Sequence, residues 1–193
     1  MCGRYYVDPD QDEEIERIIE HIKNKHKNTD TLAQMKTGEI FPTNIAPVIT
    51  NKSYTLMQWG FSRFDGKGKV INARLETAQE KPMFRTPFIK YRCLMPASCY
   101  FEWEKRGTVK QKYAIGLNGP IYLAGLYRFE RDSDIPLFVI LTKPAEQEIA
   151  FIHDRMPVLV TPEKQQDWLS GSLDTIALLS APAIQPVFRE AAG

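Results

Sequence analysis

Cysteine is scarce in this chain, with three in 193 residues. Cys2, Cys93 and Cys99 form no CxxC pair, so neither a disulfide framework nor a tetrahedral zinc site is expected. That usage suits a reducing compartment. No window approaches the ~18–20 uninterrupted apolar residues of a membrane span. The opening Met1-Cys2-Gly3-Arg4-Tyr5-Tyr6 lacks the basic patch and apolar run of a secretory signal. Neither a strand–GxGxxG–helix unit nor GxxxxGK[ST] occurs, which disfavours nucleotide-binding folds and a nucleotide cofactor. There is no internal repeat and no low-complexity tract. What remains, 43% hydrophobic and 25% charged, is an ordinary globule that buries roughly 70% of its unfolded surface. The reading is a single domain over 1–180 with a loose tail over 181–193.

The formal charge is only +1, but it is unevenly placed. Between Arg63 and Lys112 stand 12 Lys/Arg against five acidic residues, a stretch of +7. Interleaved with it are Trp59, Phe61, Phe64, Phe84, Phe88, Tyr91, Tyr100 and Trp103. Cations that follow phosphates and rings that stack bases make a single-stranded nucleic-acid surface; the alternative is an ordinary solvated face.

Asp8-Pro9-Asp10 and the acids after it start a helix, and Ile15, Ile18, Ile19 and Ile22 form one apolar stripe, predicting a helix over 11–27. Short β-rich runs follow at 46–50, 54–59, 69–73, 92–95, 113–117, 121–129, 137–142 and 158–160, separated by Asn, Asp and Gly turns. Further helices are expected from Thr142-Lys143-Pro144 to about 152 and from Thr161-Pro162-Glu163 through 169. Strands dominate, so the fold class is α+β: a highly curved, barrel-like mixed or antiparallel sheet with peripheral helices.

Four residues could carry chemistry. Cys2 follows the initiator Met, and a small residue there favours removal of Met1. The exposed α-amine has a pKa of about 7.7–8.0, so roughly a seventh is neutral at pH 7, some 400 times the neutral fraction of lysine. It can form an imine with an aldehyde, and the adjacent thiol can close a five-membered thiazolidine. Alternatively the thiol is itself the nucleophile. Glu102, in Tyr100-Phe101-Glu102-Trp103, sits among aromatics that can raise its pKa toward neutrality, or else it points to solvent. Asn72 offers a donor and an acceptor beside Arg74, a phosphate-gripping residue type; the bland reading is a strand end with a surface ion pair. His153, just before Asp154 and Pro157, is either a proton shuttle or a structural cap.

In order along the chain stand Met1-Cys2-Gly3-Arg4, Thr43-Asn44-Ile45-Ala46-Pro47, Trp59-Gly60-Phe61, Ile71-Asn72-Ala73-Arg74-Leu75-Glu76-Thr77, Pro82-Met83-Phe84-Arg85, Cys93-Leu94-Met95-Pro96-Ala97, Tyr100-Phe101-Glu102-Trp103 and His153-Asp154-Arg155-Met156-Pro157. Together they resemble the SRAP family, the SOS-response-associated peptidase-like or abasic-site-processing proteins, across about 155 residues. The resemblance implies a curved sheet that binds single-stranded DNA in a basic groove. It implies a thiazolidine crosslink between Cys2 and the ring-opened aldehyde of an abasic site. On that basis Cys2 is the nucleophile, Asn72 holds the reacting centre, Glu102 is the acid/base and His153 a proton donor. Arg4, Arg74 and Arg85 would meet phosphates, while Asn44 and Pro47 would shape the groove floor. Where many members carry stacking tryptophans after Trp-Gly, this chain has Phe61-Ser62-Arg63-Phe64-Asp65, so the wedge at the lesion is weaker or is supplied by Phe64.

The leading expectation is an abasic-site crosslinker acting as a monomer on exposed lesions near bacterial replication forks in the cytoplasm. Weak lyase activity through the same imine accompanies it, and no metal or other cofactor is required. The alternatives are a thiol-dependent (auto)peptidase and a non-catalytic single-stranded DNA-binding module.

Overall fold

The structure, a computed structural model, describes residues 2–172 and 185–191. The stripe of isoleucines does form a helix, α1 (Glu13–Lys25). Asp12 caps it, its carboxylate accepting the N–H groups of Glu14 and Ile15 at 3.0 Å. Such a cap contributes typically ~1 kcal/mol. Ile15 and Ile19 enter one apolar cluster while Ile18 and Ile22 enter a second, so a single helix face joins two cores.

Those cores lie on either side of a ring of strands. β3 (Ile45–Thr50) pairs with β4 (Tyr54–Trp59) and with β8 (Arg92–Ala97); β8 pairs with β11 (Ile121–Arg128), and β11 with β12 (Leu137–Pro144). The parallel pairing of β12 with β4 completes the ring, and the other four pairings are antiparallel. Strand alternation then sorts the side chains. Ala46, Val48, Met95, Phe138 and Ile140 enter one cluster, and Ile45, Ile49, Leu94, Val139 and Leu141 the other. Gly125 on β11 shows how tightly the ring closes: a Cβ there would lie 2.7 Å from the Val139 carbonyl oxygen of the neighbouring strand.

β12 is the hub. Beyond its contact with β4, the same edge takes up β7 (Asn72–Arg74) in parallel, pairing Ile140 with Asn72 and Thr142 with Arg74. Its other edge takes up β13 (Arg155–Pro157) beyond β11. A small hairpin, β5 (Phe61–Ser62) and β6 (Lys69–Val70), precedes β7. A second, wholly antiparallel sheet covers the first core. Its order begins with the C-terminal strand β14 (Val187–Glu190), followed by β10 (Val109–Gly116), β9 (Cys99–Arg106), β1 (Tyr5–Val7) and β2 (Gly38–Ile40). Helices α3 (Leu75–Ala78), α4 (Pro82–Lys90) and α5 (Gln165–Ser170) pack against the outer cluster, and α2 (Asp30–Ala33) follows α1. This is the curved mixed sheet with peripheral helices that the strand-rich sequence implies.

Three expectations change. The helix expected over 143–152 is absent: Lys143 and Pro144 are held extended by pairing with Met156 and Arg155 of β13, and turns follow. The strand expected at 158–160 is an isolated bridge, Leu123 to Leu159, with the ladder itself lying one step earlier in β13. Part of the supposed loose tail is β14, registered on β10 from Tyr113–Glu190 to Gly116–Val187. The rest of that segment, 181–184 and 192–193, and the domain limit near 180 fall outside the described residues.

Candidate active site

Cys2 is fully buried at the entrance to β1, in the cluster that also holds Tyr5, Trp59, Tyr100 and Tyr113. Its thiol reaches the Arg4 carbonyl oxygen at 3.7 Å. Burial pushes the thiol well above its ordinary pKa, and the nearby Glu102 carboxylate adds to the shift. The thiol is therefore held protonated.

Asn72 connects the two sheets at this point. Its side-chain amide donates to the Cys2 carbonyl oxygen at 2.8 Å, while its backbone is fixed by the β7–β12 pairing. The amide's own oxygen, Oδ1, is buried and accepts no hydrogen bond among the described residues. A buried acceptor left without a donor costs ~1–3 kcal/mol, which makes it a marked position for an incoming N–H or O–H. Arg74, two residues on and exposed, shares the face of Asn72 along β7.

Glu102 comes from β9, where it lies directly opposite Tyr113 of β10. Alternation turns Tyr100 and Glu102 inward, and both are buried. Burial pushes the Glu102 carboxyl up to about 7. A carboxyl at that value can both give and take a proton near neutrality.

His153 closes the segment between β12 and β13, whose neck is held by the Ala145 N–H donating to the Asp154 carbonyl at 3.0 Å. Burial lowers the His153 pKa, so the neutral imidazole predominates at pH 7. In that form Nδ1 accepts the Arg155 N–H at 3.0 Å, which leaves the ring proton on Nε2. Asp154 Oδ1 lies 2.8 Å from the same nitrogen and is the partner when the ring gains a second proton. Arg155 anchors the end of the segment, donating to Glu76 Oε2 at 2.9 Å and to the Thr142 carbonyl at 2.7 Å.

The remaining residues expected at a DNA surface are dispersed. Arg4 is sandwiched between the Phe41 and Trp103 rings at 4.3 and 5.0 Å, and it pairs with Glu39 at 3.3 Å. Asn44 shapes a turn, its Oδ1 accepting the Phe41 N–H at 3.0 Å. Pro47 is buried in β3 and alternates with Ala46 and Val48, so it faces away from the cluster that holds Cys2. Phe64 is 82% exposed at the tip of the β5–β6 hairpin, and Arg85 is exposed on α4. The basic run itself is divided. Arg92 is internal, stacked on Phe88 and Trp168 and donating to the Phe88 carbonyl at 2.8 Å; Lys112 is buried against Glu39 at 2.8 Å.

Several participants are invisible to motif reading. Glu39 belongs to no motif, yet it gathers Arg4 and Lys112 on one oxygen. Phe151, 52% exposed and two residues before His153, could have been noticed as an apolar residue out of place in a polar turn. Among the described residues no group of three or more His, Cys, Asp or Glu is arranged to hold a metal ion. No described helix is long and apolar enough to cross a membrane.

Comparison with known proteins fits this arrangement. The profile of the family described as SOS response associated peptidase (SRAP) matches residues 1–190. Abasic site processing protein YoqW of Bacillus subtilis (strain 168) is 32% identical over 192 residues, covering 88% of this chain and 80% of its own. Abasic site processing protein YedK of Escherichia coli (strain K12) is 36% identical over 116 residues, 58% of this chain and 52% of its own. A protein of Bacteroides thetaiotaomicron of known structure has the same fold, with a TM-score of 0.79 at 23% identity over 99% of this chain and 92% of its own. With its motifs in order, its ring of strands and a profile match along nearly the whole chain, this protein belongs to the SRAP family.

Proposed function

We propose that this chain processes abasic sites by forming a covalent adduct with the ring-opened aldehyde in single-stranded DNA, through Cys2 after removal of Met1. The α-amine of Cys2 adds to the aldehyde carbon to give a carbinolamine. Glu102 protonates the departing hydroxyl, water leaves and the imine forms. The Cys2 thiol then adds across the C=N bond, sulfur to carbon and proton to nitrogen, closing a thiazolidine with net loss of one water. His153 relays that proton in its doubly protonated form, giving one from Nε2 to the nitrogen and recovering the one the thiol loses, with the transfers reversed on reopening.

The observation that carries this reading is the Asn72 side chain, clamped by its amide to the Cys2 carbonyl with a buried oxygen awaiting a donor. The α-amine that removal of Met1 would free at Cys2 is the donor we assign to it. The order of steps is supported by the thiol, whose burial disfavours the thiolate and leaves the amine to attack first. The same fact weighs against a thiol peptidase, which needs the thiolate as its nucleophile. The names carried by the relatives point to the same substrate. Arg74, exposed beside Asn72, and Phe64 on its hairpin are the proposed contacts to flanking phosphate and base.

Intact mass before and after incubation with a single-stranded oligonucleotide carrying one abasic site tests the proposal. The expected result is a starting mass without Met1, then a gain of the oligonucleotide mass less one water, with no reductant added. Cys2→Ala is expected to give no such adduct. An unreactive protein that demonstrably begins at Cys2 would overturn the reading.

A further inference from the structure

Three aromatic rings meet at the edge of the candidate site, one of them Tyr113 from its buried cluster. Tyr113 of β10 lies directly across from Glu102. Phe151 belongs to the segment that ends in His153 and approaches Tyr113 edge-on, with centroids 5.8 Å apart at 89°. Phe188 belongs to the C-terminal strand β14 and completes the triangle, 5.5 Å from Phe151 and 6.1 Å from Tyr113. Phe151 and Phe188 remain 52% and 39% exposed, so simple burial of apolar area does not account for them. β14 is an edge strand whose sole sheet partner among the described residues is β10, and all four of its residues are exposed. It is nonetheless tied inward twice through Glu190, which pairs with Arg106 at 3.1 Å and accepts from the Tyr113 hydroxyl at 3.4 Å.

The segment that Phe151 serves needs such a hold. Between Ala145 and Asp154 it is a succession of turns, with the Ile152 N–H donating to Ile149 at 2.9 Å and the His153 N–H reaching the same carbonyl at 3.4 Å. Ile149 and Ile152 anchor one side of it in the core. On its exposed side, Phe151 against Tyr113 and Phe188 is a further contact with the sheet carrying Glu102.

We propose that Phe188 is a positioning residue: the C-terminal strand clasps Phe151 and thereby fixes the segment that presents His153 to the reacting centre. The part of this inference that concerns reaction rate rests on the function proposed above, whereas the clasp itself does not. Offset and edge-to-face ring pairs are individually modest, so removing one ring changes an equilibrium on the order of tenfold. The clasp also gives the C-terminal segment a part in the site that no motif reveals.

The test uses the full chain with Phe188→Ala, Phe188→Tyr, Phe151→Ala, His153→Ala and the His153→Ala/Phe188→Ala double variant. Hydrogen exchange of the amides at 149–153 reads the clasp directly. It is expected to quicken by about tenfold in Phe188→Ala and Phe151→Ala and to return in Phe188→Tyr. Adduct formation with the abasic oligonucleotide is expected to slow by a similar factor in Phe188→Ala, with affinity for an undamaged oligonucleotide within twofold. In the His153→Ala background the further loss of Phe188 is expected to cost nothing, because it acts through His153. Unchanged exchange overturns the clasp, and an added rate loss in the double variant overturns its action through His153. Failure of the unsubstituted protein to form any adduct overturns the functional reading instead, and the exchange result then decides the clasp alone.

Discussion

β9 has two faces, and its neighbours Glu102 and Trp103 belong to different chemical worlds. Inward, Glu102 stands with Tyr100 and Tyr113 against the buried Cys2, and burial pushes its carboxyl up to about 7. Outward, Trp103 and Phe101 help to form a rack of cations, with Arg4 between Trp103 and Phe41 and Lys112 over Phe101 at 4.1 Å. The carboxylate on that side, Glu39, has the opposite fate. Partial burial alone would raise it, but the hydrogen bond from Lys112 and the charges of Lys112 and Arg4 hold it below the usual carboxylate range. Burial that outweighs nearby charge leaves a carboxyl able to exchange a proton near neutrality, whereas two cations on one carboxylate make a permanent anion. One strand, alternating every residue, thus separates the raised carboxyl of Glu102 from the stacked cations by the thickness of a sheet.

The largest effect is expected from breaking the inward face. Glu102→Gln keeps the shape but cannot exchange a proton, so adduct formation is expected to slow by roughly 10²–10⁴ while DNA affinity stays nearly constant. Time courses by denaturing gel, beside anisotropy on undamaged single strands, measure both, and equal rates would remove Glu102 from the proposed acid/base role. The same variant has a consequence for stability. A carboxyl raised in the folded state holds its proton more tightly there, so the native protein loses stability as pH rises from about 4.5 to about 7 and carries the full penalty above that. Thermal unfolding of Glu102→Gln is therefore expected to lie above that of the native protein at pH 8, by on the order of 2 kcal/mol or several degrees, and close to it at pH 4. A difference independent of pH would mean that ionisation of Glu102 is not what strains the native fold.

These two faces were unequally legible in the sequence. Alternation in Tyr100-Phe101-Glu102-Trp103 separates Glu102 from its neighbours, but it does not say which side is the interior; the pairing with β1 and β10 decides that. The motifs singled out Cys2, Asn72, Glu102 and His153, and their ring of strands followed from the spacing of β-rich runs. Glu39 could not be found in this way, because its meaning comes from Arg4 and Lys112, 35 and 73 residues distant. The +7 run is likewise divided by contacts that its sequence does not show. Arg92 lies in it for the sake of Phe88 and Trp168, not for a phosphate. The strand β14 escaped because its four residues carry too little pattern without β10 beside them.

The smallest expected effect sharpens the outward face. If Arg4 reaches a DNA phosphate, Glu39 competes with that phosphate for the same guanidinium and holds Lys112 as well. Glu39→Gln removes the competitor while leaving a hydrogen-bonding group for both cations, so affinity for single-stranded DNA is expected to rise severalfold at low salt. A freed cation that neutralises one more phosphate also releases one more counterion, which steepens log K against log salt by about 0.7 for a single strand. Long-range removal of a negative charge raises affinity too, and Glu80→Gln, at an exposed acid elsewhere, provides that control. A gain confined to Glu39→Gln with the steeper slope places Arg4 and Lys112 in contact with the strand. Equal gains from both variants, with no change of slope, would mean that the outward rack stabilises the sheet and that phosphate binding lies with Arg74 on the side of Asn72. The distinction turns on slope rather than on affinity, because only a phosphate contact made through these two cations changes the number of ions released.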